Sequence, residues 1–101
     1  MSEYKSRFQS DATDELFDVL LQLKDRNECY SFFEDVCTIT EINSIAQRWG
    51  VAKLLDQGIT YHEIAKTHNV SSATIYRVNR CLSHGAGGYR LMLDRVYKNK
   101  K

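Results

Sequence analysis

The stretch YHEIAKTHNVSSATIYRVNR, residues 61–80, carries the pattern that decides the fold. Its apolar residues Ile64, Val70, Ile75 and Val78 stand at the offsets that two short helices need to pack at a steep angle across a tight turn. Ile75 and Val78 are three residues apart, so they share one face of the second helix. The spacing therefore predicts a helix-turn-helix pair whose apolar face meets a core.

Polar residues mark where these two helices begin and where the turn lies. Thr60 opens a Thr-x-x-Glu capping box, which predicts a first helix over about residues 61–68. Asn69 suits the left-handed backbone that a tight turn needs. Ser71 or Ser72 can then cap the second helix, because a hydroxyl at that position accepts a hydrogen bond from a free backbone N–H group.

The outward face of the second helix carries side chains suited to a DNA major groove. Serine and threonine hydroxyls can reach base edges or phosphates, and the methyl groups of Ala73 and Thr74 can meet a thymine methyl. The free N–H groups where the helix begins, at Ser71 and Ser72, attract a phosphate. We therefore expect double-stranded DNA as the partner of a motif spanning about residues 60–82; an ordinary helical hairpin with a solvated polar face is the alternative. The outward residues are Ser72, Ala73, Thr74, Tyr76, Arg77 and Arg80.

Charge is divided unevenly along the chain. The 101 residues carry a formal net charge of +1, but residues 1–57 carry −5 and residues 58–101 carry +6. Such asymmetry favours a nucleic-acid partner for the basic half. The length fits one small domain and is too short for a TIM barrel or a two-domain enzyme.

Helical patterns also fill the chain before the motif. Residues 1–9 have the composition of a flexible polar arm, and we expect residues 10–101 to form a single helical domain. A first helix begins near Ser10, and Asn27 offers a cap for a short second helix. A capping box at Thr38 then opens a longer third helix.

The third helix, which extends to about Gln57, is apolar around most of its circumference. Such a helix must be buried on several faces, and a chain this short offers little material to cover it. We therefore expect an intertwined homodimer in which a second chain supplies the cover; central placement in a monomeric bundle is the alternative. A glycine-containing loop at residues 83–88 and a last helix over residues 89–97 complete the pattern before a basic tail.

Three segments together resemble the Trp repressor superfamily, most closely its YerC/YecD-type members. They are QRWGVAKLLDQGIT at residues 47–60, YHEIAKTHNVSSATIYRVNRCL at residues 61–82 and GAGGY at residues 85–89. The resemblance implies an all-α fold of six helices that interlocks with a second copy. It also implies a bacterial transcriptional repressor whose two helix-turn-helix heads enter successive major grooves of DNA.

The resemblance assigns DNA-facing roles to individual positions. Ser72, Ala73, Thr74 and Tyr76 match the positions that face base edges, directly or through water. Thr60 and His62, at the start of the first helix of the motif, match phosphate contacts. The charge that attracts the DNA backbone would come from Lys66, Arg77 and Arg80.

The family's tryptophan pocket is degenerate at the positions Thr38, Gly50, Arg77, Val78 and Cys81. Gly50 stands where the resemblance implies an arginine that holds the tryptophan carboxylate, whereas Arg77 retains the arginine beside the indole ring. Val78 replaces a glycine that leaves room for the ring, and Cys81 replaces a serine that helps to hold the amino group. We therefore do not expect tryptophan control, and the effector, if one exists, is unknown.

No pattern for a membrane span, a metal site or a catalytic group stands out. The sequence has no apolar run of about 18 residues and no signal-peptide core, so we expect a cytoplasmic protein. Cys29, Cys37 and Cys81 lack the spacing of zinc ligands and are expected to be buried, reduced thiols, with the histidines at the surface. We expect no cofactor and no enzymatic activity.

One alternative function stays open at this point. It is a helical protein–protein interaction module without specific DNA binding, whose acidic N-terminal half contacts a partner. Salt dependence separates the two functions, because binding through several phosphates weakens steeply as salt is added.

Overall fold

The computed structural model describes residues 6–98, and this part of the chain is helical with no strand. The other residues, which include most of the predicted arm and the end of the basic tail, lie outside the described residues. The six expected helices are confirmed. They are α1 (Asp11–Leu20), α2 (Arg26–Val36), α3 (Ile39–Asp56), α4 (Tyr61–His68), α5 (Ser72–His84) and α6 (Gly88–Leu93), and a π-helical turn at Asp94–Lys98 continues α6. No described helix is long and apolar enough to cross a membrane.

The chain divides into two compact units, residues 1–39 and residues 40–101. The first unit contains α1 and α2, and neither helix buries a side chain. The rings of Phe32 and Phe33 meet edge to face there, with their centroids 5.5 Å apart. Large apolar side chains on both helices are exposed, and Phe17, Val19 and Tyr30 are among them.

The cap of α2 differs from the predicted one. Asp25 caps the helix, with its Oδ1 accepting a hydrogen bond from the Glu28 N–H group at 2.9 Å. Glu28 in turn accepts from the Lys24 N–H group at 2.8 Å. The predicted cap, Asn27, was wrong because the Asp25 carboxylate reaches the free Glu28 N–H group and Glu28 holds the residue before the cap, which leaves Asn27 inside the helix.

The second unit holds the hydrophobic core. Its buried residues come from α3, α4, the turn after α4 and α5, which confirms the four apolar positions predicted from the motif. Tyr89 of α6 and three residues near the end of α3 pack around this cluster. The fully packed members are Val51, Ala52, Ile64, Val70, Ile75 and Val78.

The end of α5 and the bounds of α6 also differ from the prediction. The last helix was predicted over residues 89–97, but α6 ends at Leu93 and a π-helical turn follows it. α5 continues two residues past Leu82 and stops at Gly85, where the Gly85 N–H group still donates to the Cys81 carbonyl at 2.9 Å. A side chain at Gly85 would collide with that same carbonyl oxygen. Gly87, with φ of 91°, then starts α6 from a left-handed conformation that favours glycine.

The three thiols are free, but the expectation that they are buried was wrong, because none of them is buried. Cys29 and Cys81 are exposed and Cys37 is half-buried. A small apolar side chain on an amphipathic helix is buried only where another element covers its face.

Candidate nucleic-acid interface

The turn between α4 and α5 sets the geometry of the motif. Asn69 ends α4 with φ of 53° and ψ of 49°, the left-handed conformation predicted for it. The next residue, Val70, is 6% exposed and belongs to the core cluster. The chain therefore reverses at Asn69 and is anchored at once by Val70, so that α5 begins against α4.

The start of α4 presents polar groups to solvent. The Thr60 hydroxyl accepts a hydrogen bond from the Glu63 N–H group at 3.2 Å, as the capping box predicted. Thr60, His62 and Lys66 are all exposed, and Ile64 on the same helix is fully buried. A phosphate can therefore approach the three polar side chains without disturbing the core.

The start of α5 is held by two hydrogen bonds between one pair of residues. The Ser71 Oγ atom accepts from the Thr74 N–H group at 3.2 Å and donates to Thr74 Oγ1 at 3.0 Å. Ser71 is therefore the cap, and its hydroxyl is engaged locally. Ser72 and Ala73 follow it and are exposed, so the free N–H groups of the first turn face solvent.

The two faces of α5 are sharply different. Ile75 and Val78 are at most 1% exposed, whereas Tyr76 is 56% exposed. Arg77 and Arg80 lie on the exposed side as well. The structure thus brings the predicted DNA-facing residues to one surface of α5, with Thr74 half-buried at its edge.

The cations of the motif differ in pairing from those near the end of the described chain. Among residues 6–98, Lys66, Arg77 and Arg80 have no ion-pair partner. Arg90 and Lys98 instead lie beside Asp56 and Asp94. The cations of the motif are therefore not neutralised by a carboxylate and can attract a polyanion.

The paired group was not predicted from the sequence. Asp56, the last residue of α3, accepts two hydrogen bonds from the Arg90 guanidinium, at 2.9 and 3.1 Å. Arg90 Nε also donates to Asp94 at 3.0 Å. These bonds hold the pKa of Asp56 below its usual range, although burial opposes the shift, and they raise the pKa of Arg90. No local pattern signals this pairing, because its two partners are 34 residues apart.

A groove of about 360 Å³ lies beside α5. It brings together Arg77, Val78 and Cys81 of the degenerate pocket positions, whereas Thr38 and Gly50 are outside the lining. The guanidinium that α3 contributes is that of Arg48. The lining residues are Ile45, Arg48, Trp49, Arg77, Val78, Cys81 and Tyr89.

The phenol of Tyr89, in the groove lining, has a raised pKa. Burial raises the pKa of Tyr89, and the charge of Arg48 works in the opposite direction. The Tyr89 ring also packs against the core cluster, which connects the groove wall to the interior of the second unit. The groove is therefore apolar at its base, with the two guanidinium groups of Arg48 and Arg77 in its lining.

Comparison with known proteins agrees with this architecture. Residues 11–97 match the family model described as Trp repressor protein. The chain is 54% identical to the uncharacterized protein YerC of Bacillus subtilis (strain 168) over 83 residues, which cover 82% of this chain and 80% of that one.

Two solved structures are also similar. A candidate Trp repressor from Staphylococcus aureus has 48% identity and a TM-score of 0.84, and the match covers 89% of this chain and 90% of that one. A TrpR-like protein from Eubacterium eligens ATCC 27750 has 46% identity and a TM-score of 0.86, with coverage of 94% and 98%. The family match covers most of the chain and the fold agrees throughout it, so this chain belongs to the Trp repressor protein family.

Proposed function

We propose that the protein is a sequence-specific DNA-binding transcriptional regulator that acts as a homodimer of helix-turn-helix heads and represses its targets. The observation that carries this proposal is the division of α5 into a buried face, with Ile75 and Val78, and an exposed face, with Tyr76 and Arg77. A recognition helix needs this division, because one face must fix it to the head while the other enters the major groove.

Each predicted contact residue has a chemistry suited to its place on the head. Tyr76 and the methyl group of Ala73 can meet base edges, and the exposed Ser72 adds a hydroxyl. Arg77, Arg80 and Lys66 supply charge for the phosphates, as do the polar groups of Thr60 and His62 at the start of α4. Ser71 contributes by capping α5 and so by fixing the first turn that faces the phosphate.

The homodimer accounts for the apolar surface of the first unit. Leu16 and Phe17 of α1 are 40% and 53% exposed, and Val36 at the end of α2 is 54% exposed. Several large apolar side chains exposed on two short helices favour an interface, and a second copy of the chain supplies an apolar surface to cover them. Sedimentation equilibrium tests this assembly; a monomer at all concentrations would contradict it.

The DNA proposal is tested by selecting duplexes from a random pool with the purified chain and measuring affinity against salt concentration. We expect enrichment of a roughly palindromic site and an affinity that falls steeply with salt, because several phosphates are contacted. No enrichment would contradict specific recognition. Binding of a protein partner by the acidic first half, with no DNA shift at any salt, would favour the interaction module instead.

Control by tryptophan is not part of the proposal. Val78 is 1% exposed, belongs to the core cluster and lines the groove beside Arg77. Its isopropyl group occupies space that an indole ring would need, and Cys81 offers only a weak hydrogen bond to an amino group. We propose instead that Val78 and Arg48 help to hold the head in place without tryptophan.

A further inference from the structure

Asp56, Arg90, Asp94 and Lys98 form an ion-pair cluster beside the helix-turn-helix head, which comprises α4 and α5. The role that we assign to this cluster rests on the proposed function. Arg90 places Nη1 at 2.9 Å from Asp56 Oδ1 and Nη2 at 3.1 Å from Asp56 Oδ2. Its Nε and Nη2 both approach Asp94 Oδ1, at 3.0 and 2.9 Å. Lys98 Nζ lies 3.6 Å from Asp56 Oδ2 and so adds a second cation to the same carboxylate.

The place of this cluster in the chain gives it a role that a surface ion pair would not have. Asp56 ends α3 and Arg90 stands at the third position of α6, so their contact closes a segment that contains the whole of α4, the turn at Asn69 and α5. Tyr89, the residue before Arg90, packs against the core. The cluster therefore joins the two ends of the helix-turn-helix head.

The Asp56–Arg90 contact can fix the orientation of the helices, whereas the rest of the head is held by apolar packing. The core of Val51, Ile64 and Ile75 is attractive in any orientation that buries the same area. A bidentate guanidinium–carboxylate pair, in contrast, fixes both the distance and the plane of its partners. The Asp56–Arg90 pair thus supplies the angular constraint between α3 and the segment that contains α5.

We propose that Arg90 is a positioning residue for DNA recognition, which sets the orientation of α5 relative to α3 through Asp56 and does not itself contact DNA. All three of its guanidinium nitrogen atoms are already engaged by carboxylates, and the charges of Asp56 and Asp94 balance those of Arg90 and Lys98, so the cluster offers no net positive charge to a phosphate. Its contribution should therefore be to specificity and not to backbone attraction.

The test compares two duplexes of equal length, one selected by the wild-type chain from a random pool and one of unrelated sequence. Arg90→Gln and Asp56→Asn should each lower affinity for the selected duplex by about twofold to fivefold, the upper part of the range of a partly exposed ion pair, and leave affinity for the unrelated duplex unchanged. The double variant should lose no more than either single variant. The slope of affinity against salt should stay unchanged, because the number of phosphate contacts is the same.

The matched control is Arg95→Gln, which removes an equal charge from the same end of the chain. Among the described residues Arg95 has no carboxylate partner, so the ratio of selected to unrelated affinity should not fall. All measurements are made well below the melting temperature of each variant, where partial unfolding would lower both affinities together. If Arg90→Gln does not fold, Arg90→Lys and Asp56→Asn carry the test, and Arg90→Lys should recover only part of the ratio.

Each other outcome overturns the inference in a distinct way. A uniform loss on both duplexes with a shallower salt slope would make Arg90 a phosphate contact. Unchanged affinities would reduce the pair to a surface ion pair. If the wild-type chain selects no duplex at all, the proposed function fails, and the role of Arg90 fails with it.

Discussion

Ser71 and Thr74 are joined twice at the beginning of α5, once through the Thr74 backbone N–H group and once between their hydroxyls. Removing the cap with Ser71→Ala should lower the free energy of unfolding by about 1 kcal/mol. Ser72→Ala is the matched control, since it deletes a neighbouring exposed hydroxyl and should change stability by less than about 0.5 kcal/mol. Urea denaturation of both variants measures the difference, and equal losses would mean that the cap contributes nothing.

The exposed face of α5 should determine which sequences are preferred. Thr74→Ala and Tyr76→Ala should each lower the discrimination between the selected and unrelated duplexes, because we propose that both side chains face base edges. A loss of about 1–3 kcal/mol in discrimination is typical of one base contact. Pool selection repeated with each variant measures this, and an unchanged preferred site would remove α5 from base recognition.

Arg77 should act through charge more than through base recognition. Arg77→Ala is expected to weaken binding to all duplexes and to reduce the salt slope by about 1, as the loss of one phosphate contact does. Lys24→Ala removes the same charge from the first unit, far from α5 in the sequence, and serves as the control. Fluorescence anisotropy over a salt series gives both slopes; identical slopes for the wild type and Arg77→Ala would exclude this contact.

Stability should depend on pH through Asp56. Its pKa is lowered in the folded chain, so the stabilisation is complete above the ordinary carboxyl pKa of 3.8 and is lost as pH falls through the folded value. The difference in free energy of unfolding between the wild type and Asp56→Asn should therefore be constant at neutral pH and shrink under acid conditions. Arg90→Gln removes the cause of the shift and should shrink the same difference. Denaturation curves at several pH values measure the free energies of unfolding of the wild type and Asp56→Asn. We expect the two values to converge as pH falls, and a constant difference at every pH would contradict the prediction.

L-tryptophan should not bind tightly. Val78 fills part of the groove, and Gly50, the predicted substitute for a carboxylate-binding arginine, is not among the groove residues. Titration of the wild type with L-tryptophan should give no measurable heat of binding at micromolar protein. The same titration of Val78→Gly tests whether the volume of the Val78 side chain alone prevents binding. Micromolar affinity in the wild type would contradict our interpretation of the pocket.

The local features of the head could be predicted because each depends on neighbours in sequence. The caps at Thr60 and Ser71, the left-handed turn at Asn69 and the buried face of α5 all follow from residues within four positions of one another. A helix start and an amphipathic face are local properties, so composition and spacing contain enough information to locate them.

The features that escaped prediction depend on distant partners or on backbone register. The contact of Asp56 with Arg90 requires the full return of the chain after α5, and no spacing rule indicates it. The π-helical turn after α6 changes the backbone hydrogen-bond register, and no residue pattern in the sequence indicates where such a turn begins. Arg48 enters the groove lining because of how α3 faces α5, which a linear comparison of positions does not reveal.

Neither α1 nor α2 has a buried side chain, so the stability of the first unit should depend on protein concentration. Helices of ten and eleven residues are marginal in water without tertiary packing. Under the proposed assembly, the first unit gains its packing only when two chains meet, so its melting temperature should rise with protein concentration. A cell that dilutes the protein would then lose both the ordered first unit and the spacing of the two heads, which makes the abundance of the chain itself a control on its activity.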